Sequence, residues 1–203
     1  MASTEKKLDR RVVRTRKAIM EAFETLLETH RLDKITVSAI AREADIDRKT
    51  FYLHYGSIGD LVSLKIGEGI DRIVAALKEQ GAGKEPSELV HIALSEVNAI
   101  YTEHLSIYEK LASTVTVGML LDQFNDIARF CLEYLGLDPD MVEDDELRMR
   151  AQFHLAGGLS LYATWLQSDH STPIESVSDA IERAINAESI AVLDRALKSV
   201  AIV

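Results

Sequence analysis

The chain has almost no cysteine. Cys131 stands alone, so no intrachain disulfide can form, and the disulfide-stapled secreted domains are excluded. Proline is scarce at three residues and glycine modest at ten in a chain of 203, so long stretches have nothing to break a helix. Alternating strand-like patterns are nearly absent. No uninterrupted apolar run approaches the roughly 18 residues of a membrane span, so no membrane partner is expected. The first residues (Thr4, Glu5, Lys6, Lys7) are polar, which predicts no secretory leader and a cytoplasmic location. Catalytic signatures are missing as well. There is no phosphate-cradling glycine loop, no nucleophile elbow and no His-Glu-x-x-His. His91, His104, His154 and His170 are scattered without metal-ligand spacing. The expectation is a non-enzyme with no cofactor, no metal and no catalytic residue.

Positive charge is also short, and unevenly placed. The formal net charge is −10, yet residues 1–55 hold 12 Lys/Arg against 9 Asp/Glu. The remainder therefore carries −13. A basic amino-terminal end on an acidic body points to a polyanion met at one end only. The acidic body either orients that encounter or serves solubility alone.

What is present is helical periodicity. Ile19, Ala22, Phe23, Leu26 and Leu27 predict a helix from about Arg11 to Thr29. Thr36 is a good N-cap for a second helix with Val37, Ile40, Ala41 and Ala44 inward, and Asp47 for a third. Leu61, Leu64, Ile70, Ile73, Val74 and Leu77 mark a fourth, longer helix. A break at 80–86 follows. Ala93, Val97, Ile100, Tyr101, His104 and Tyr108 then share one stripe, and Val117 to Leu135 form another. An acidic loop from Asp138 leads to a helix over about Leu147 to Gln167, and a last helix starts near Glu175. The fold class is all-α. The expected division is an amino-terminal domain over 1–57 and a carboxy-terminal domain over 58–203.

Residues 36–55 are two short helices joined by a tight turn, the second polar and basic. That is the layout of a helix-turn-helix, whose second helix enters the DNA major groove. Arg48 and Lys49 lie in its first turn, where base edges are met; arginine can pair bidentately with guanine. Thr50 offers a hydroxyl to phosphate or a methyl to thymine. Tyr52 and His54 are placed for phosphates. Thr36 and Ser38 open the preceding helix, whose N–H groups suit a phosphate. Phe51 and Tyr55 are expected in the core. Arg10, Arg11, Arg14, Arg16 and Lys17 add nonspecific attraction. The candidate partner is double-stranded DNA.

The run from about Arg11 to Ile66 resembles the DNA-binding domain of the TetR/AcrR family of bacterial regulators. The likeness is carried by Thr36, Val37, Ile40, Ala41, Ala44, Asp45, Ile46, Asp47, Thr50, Phe51, Tyr52, His54, Tyr55 and Leu61. Two positions depart from the family pattern. The turn glycine is Asp45, which tolerates a left-handed backbone better than most residues. The lysine that opens the fourth helix is Ile58, so one phosphate contact is expected to be missing.

The resemblance implies an all-helical homodimer. Two small domains read a palindrome, and the larger domain dimerises and binds a small-molecule effector. The helix from Leu147 is apolar nearly all round and so must be covered on two sides. Leu155, Gly157, Gly158, Leu161, Ile181 and Ile185 are the candidate dimer interface, with burial inside the chain as the other reading. Gly157-Gly158…Trp165-Leu166 also resembles the dimerising helix of some family members. Effector-pocket candidates are Tyr101, His104, Tyr108, Met119, Phe124, His154, Tyr162 and Trp165; an aromatic stripe at this spacing also reads as plain core. Cys131, on an apolar stripe, reads as a buried inert thiol before a redox sensor. Two functions remain open. One is a sequence-specific regulator, a ligand-responsive repressor. The other is a helical interaction protein or coactivator of a metabolic operon, working through protein contacts.

Overall fold

The computed structural model describes residues 10–113 and 145–185, with the side chains of 145–148 and 151 excepted. Met119, Phe124, Cys131 and the stripe from Val117 to Leu135 lie outside the described residues. Among those described there are eight α-helices and no strand: α1 (Arg10–Thr29), α2 (Val37–Glu43), α3 (Arg48–His54), α4 (Ile58–Gln80), α5 (Pro86–Glu103), α6 (Leu105–Ala112), α7 (Asp145–Leu166) and α8 (Ile174–Ala184). Among the described residues no helix is long and apolar enough to cross a membrane.

The chain divides into two compact units, one up to Leu64 and one from Lys65 onward. The division falls inside α4, whereas the expected domain boundary lies at its first residue, Ile58. The helix α4 itself is unbroken from Ile58 to Gln80.

In the first unit α1 buries Ile19, Ala22, Phe23 and Leu27, spaced to share one face. That helix packs on α2, and α2 on α3. Phe23, Phe51, Ile19, Leu27, Ile40 and Leu61 are the largest fully buried side chains. They are the apolar positions that the periodicity turned inward.

In the second unit α5 packs on α6 and α8, and α7 on α6 and α8. Tyr162, Trp165 and Leu166 of α7 form a buried cluster with Ile174 and Ile181. The polar atoms inside it are paired. The Tyr162 hydroxyl donates to Asn98 Oδ1 at 2.7 Å, Asn98 Nδ2 to Ser178 Oγ at 2.9 Å, and Ser178 Oγ to the Glu175 carbonyl at 2.9 Å. Trp165 Nε1 donates to the Thr172 carbonyl at 2.7 Å. Buried polar groups paired in this way cost little and hold α7, α5 and α8 in one register.

The stripe from Ala93 to Tyr108 is split between two helices. His104 (φ −127°, ψ 36°) closes α5 and opens α6. Its N–H still reaches the Ile100 carbonyl at 3.2 Å, so the break costs few hydrogen bonds. Neither glycine nor proline marks the spot.

Candidate nucleic-acid interface

Two side-chain caps and one turn fix the interface. Thr36 Oγ1 accepts the Ala39 N–H at 3.2 Å and starts α2. Asp47 Oδ1 accepts the Thr50 N–H at 2.6 Å and starts α3. Between them the Ile46 N–H returns to the Ala41 carbonyl at 2.9 Å and the Asp45 N–H to the Arg42 carbonyl at 3.3 Å. This is the paired bonding of a Schellman turn, which requires a left-handed residue after the helix. Asp45 takes that role at φ 52°. The missing glycine is thus accommodated by a residue that reaches the same backbone state at modest cost.

The seven residues of α3 sort cleanly by face. Phe51 is fully buried, and Tyr55, just beyond the helix, nearly so. Their rings lie 6.0 Å apart, and the Arg16 guanidinium of α1 sits 5.9 Å from the Tyr55 centroid. Arg48, Lys49, Tyr52 and Leu53 are exposed together on the opposite side, while Thr50 and His54 are half-buried along the edge. Positions 48 and 52, and 49 and 53, are one helical turn apart, so the four form one patch. The Tyr52 ring meets Phe51 edge-on at 5.5 Å, which steadies it although it is half exposed. Ser38 and the Thr36 side chain are exposed at the start of α2. Because Thr36 Oγ1 serves as cap acceptor, its hydroxyl proton remains to donate.

Leu53 was not among the residues expected at the interface. It is 73% exposed, more than any other large apolar residue described in the first unit. Its position one turn after Lys49 and opposite Phe51 was the available signal. An exposed leucine on this patch suits a thymine methyl.

The start of α4 carries a closed cap in place of a cation. Gly56 N–H and Ser57 Oγ donate to the two Asp60 carboxylate oxygens, each at 2.8 Å, and the Asp60 N–H returns to Ser57 Oγ at 3.4 Å. Ile58 stands where the family has lysine, so this helix end holds a carboxylate and no basic side chain in its first turn.

Hydrogen bonds hold both cap carboxyls below the usual range: the Thr50 N–H does so for Asp47, and the Ser57 hydroxyl followed by the Gly56 N–H for Asp60. A carboxyl depressed on folding adds stability above its unfolded pKa. That stability is lost as pH falls through the folded value. The first unit is therefore expected to loosen in acid, below the ordinary carboxylate range, and Asp47→Asn should flatten that dependence. Amide exchange of α2 and α3 as a function of pH measures it; an identical profile in Asp47→Asn would refute the cap's role.

Residues 19–63 match the family model described as bacterial regulatory proteins, tetR family. The amino-terminal unit is thus similar to the DNA-binding part of tetR-family regulators. The chain is 37% identical over 106 residues to an uncharacterised HTH-type transcriptional regulator, YxbF, of Bacillus subtilis (strain 168). The match covers 49% of the chain but only 28% of that protein's length. Two solved tetR-family structures share the fold. One from Rhodococcus sp. RHA1 has a TM-score of 0.59 at 17% identity, covering 86% of this chain and 95% of its own. Another, from Streptomyces coelicolor, has 0.58 at 16%, covering 90% and 91%. The tetR family is one of regulators, in keeping with the absence of any catalytic signature in the sequence.

The remaining sequence candidates fall in the second unit. Tyr101 and Tyr108 line a cavity among α4, α5, α6 and α7. His104 is exposed at the helix break, His154 lies partly exposed on α7, and Tyr162 and Trp165 belong to the core cluster. Of the residues proposed for an interface, Ile181 is buried and Ile185 packs on the same core. A Cβ at Gly158 would lie 3.5 Å from Ile181, so this glycine faces its own α8. Leu155 is half-buried. Gly157 faces open space and Leu161 is 44% exposed.

Proposed function

We propose that this protein is a sequence-specific, DNA-binding transcriptional regulator of the tetR family. It acts in the cytoplasm as a homodimer on a palindromic operator and works as an effector-responsive repressor. The observation that carries this reading is the two-faced α3. Phe51 and Tyr55 anchor one side, while Arg48, Lys49, Tyr52 and Leu53 are presented together on the other. A rigidly capped helix with base-reading groups in its first turn is what major-groove recognition needs. Thr36 and Ser38 take backbone phosphates, and Thr50 and His54 flank the groove.

The homodimer reading draws on α7. Met149, Phe153 and Leu161 are exposed at four-residue multiples, with Gly157 as a notch between them. Gly158, Ile181 and Ile185 serve the protomer's own core, which narrows the proposed interface to the outer ridge. The effector response draws on α4, which begins in the first unit and lines the second unit's cavity with Ile66, Gly69, Ile70 and Ile73.

Selection from a random duplex library by the purified protein tests the function. An enriched palindrome is expected. On the selected site, Arg48→Ala should cost about 10- to 100-fold in affinity and relax one position, the worth of a bidentate base contact of about 1–3 kcal/mol. Tyr52→Ala and Thr50→Ala should weaken all sequences alike. If only weak, salt-sensitive binding without sequence preference appears, the regulator reading gives way to one based on protein contacts.

A further inference from the structure

The cavity of the second unit has a lining that narrows what it can hold. Among the described residues its wall is aliphatic apart from Tyr101 and Tyr108, and none of them contributes a carboxylate, lysine, arginine or histidine to it. Nearby charge is committed elsewhere. Arg72 of α4 is paired with Glu96 and Glu103, with Nη2 donating to Glu103 Oε1 at 2.9 Å. Against these described residues an ionised ligand would be buried without a counter-charge, at heavy cost.

One polar group is left over. The Tyr162 hydroxyl, beside the cavity, is used by Asn98. The Tyr101 ring is fixed on both sides, by Tyr108 at 4.8 Å and edge-on by Tyr162 at 5.3 Å. Its hydroxyl has no hydrogen-bond partner among the described residues. Burial pushes its pKa up, so it remains a proton donor throughout the physiological range. The cavity is about 80 Å³, room for several waters and hence for a molecule of about one ring.

We propose that this cavity takes an uncharged, largely apolar molecule of about one ring, carrying a single hydrogen-bond acceptor that receives the Tyr101 hydroxyl proton. The proposal rests on the effector reading above and assigns its chemical class. The aliphatic wall supplies affinity by removing apolar surface from water, and Tyr101 fixes orientation. Gly69 sets the depth. A Cβ there would stand 3.6 Å from Tyr108 Oη and 3.9 Å from Ile100 Cδ1, so a larger side chain would fill the space where a ligand sits.

Calorimetric titration of the full chain, without DNA, tests this with three probes of matched shape: acetophenone, ethylbenzene and benzoate. Acetophenone is expected to bind about five-fold more tightly than ethylbenzene, the worth of one neutral hydrogen bond, and benzoate not to bind. Tyr101→Phe should bring acetophenone to the level of ethylbenzene. Gly69→Leu should abolish both, and Ala163→Val, which narrows the same wall more gently, should weaken both if Gly69→Leu does not fold. Benzoate binding as tightly as acetophenone overturns the class. Failure of both neutral probes to bind overturns the cavity as a site. Release of the selected operator by acetophenone is read separately: binding without release upholds the ligand class and refutes the effector reading.

Discussion

Phe51→Ala is expected to unfold the amino-terminal unit and abolish duplex binding altogether. Phe51 is fully buried and sits between the rings of Tyr52 and Tyr55. Removing a buried phenylalanine costs about 3–5 kcal/mol through lost burial and the cavity left behind. At about 0.05–0.15 kcal/mol per residue, a unit of this size holds only about 3–10 kcal/mol in total. The substitution thus takes a large part of what is there. Amide exchange locates the effect: α1 to α3 should lose protection, while α5 and α8, with their own core around Tyr162 and Trp165, should keep it. Tyr52→Ala is the companion variant. It removes a half-exposed ring from the same helix and should leave exchange unchanged while weakening DNA binding. If Phe51→Ala kept both its protection and its operator affinity, Phe51 would not be the keystone of this helix.

The contrast between Phe51 and Tyr52 shows why the recognition unit was legible in the sequence. Its determinants are local. Thr36 and Asp47 cap helices through bonds to residues three positions on, and Asp45 occupies a turn whose bonding spans six residues. Such features need no knowledge of distant packing. Leu53 escaped because a leucine is read first as core; its only signal was its register, one turn after Lys49 and opposite the buried Phe51. The second unit was less legible for the same reason. The helix break at His104 carries no glycine or proline and follows from how α5 and α6 pack. In α7 the all-round apolar pattern announced two covered sides without saying which side faced where. Gly157 and Gly158 are adjacent in sequence but about 100° apart around the helix. One therefore meets Ile181 and the other faces open space. Likewise the pocket candidates Tyr101 and Tyr162 proved to be a cavity residue and a core residue, told apart only by packing and by the partner that the Tyr162 hydroxyl finds.

That division of α7 leads to the second large effect: Phe153→Glu is expected to convert the proposed homodimer to a monomer. Phe153 is 74% exposed and Met149 64%, with Leu161 at 44% on the same ridge. Residues at multiples of four form the natural ridge of a helix, and Gly157 provides a groove within it. Related by a two-fold axis, the same ridge meets itself, so one substitution strikes the interface twice. Two glutamates would then face each other in an apolar contact, which is unfavourable on both charge and desolvation grounds. Sedimentation should show the mass halved at micromolar concentration. Operator affinity should fall about 10²- to 10⁴-fold, because the second half-site is no longer delivered by the first. Gln152→Glu, one residue away and exposed on α7, adds the same charge off the ridge and should leave the dimer intact. Dimer mass unchanged in Phe153→Glu would place the interface elsewhere. Loss in both variants would mean that net charge, not the ridge, governs association.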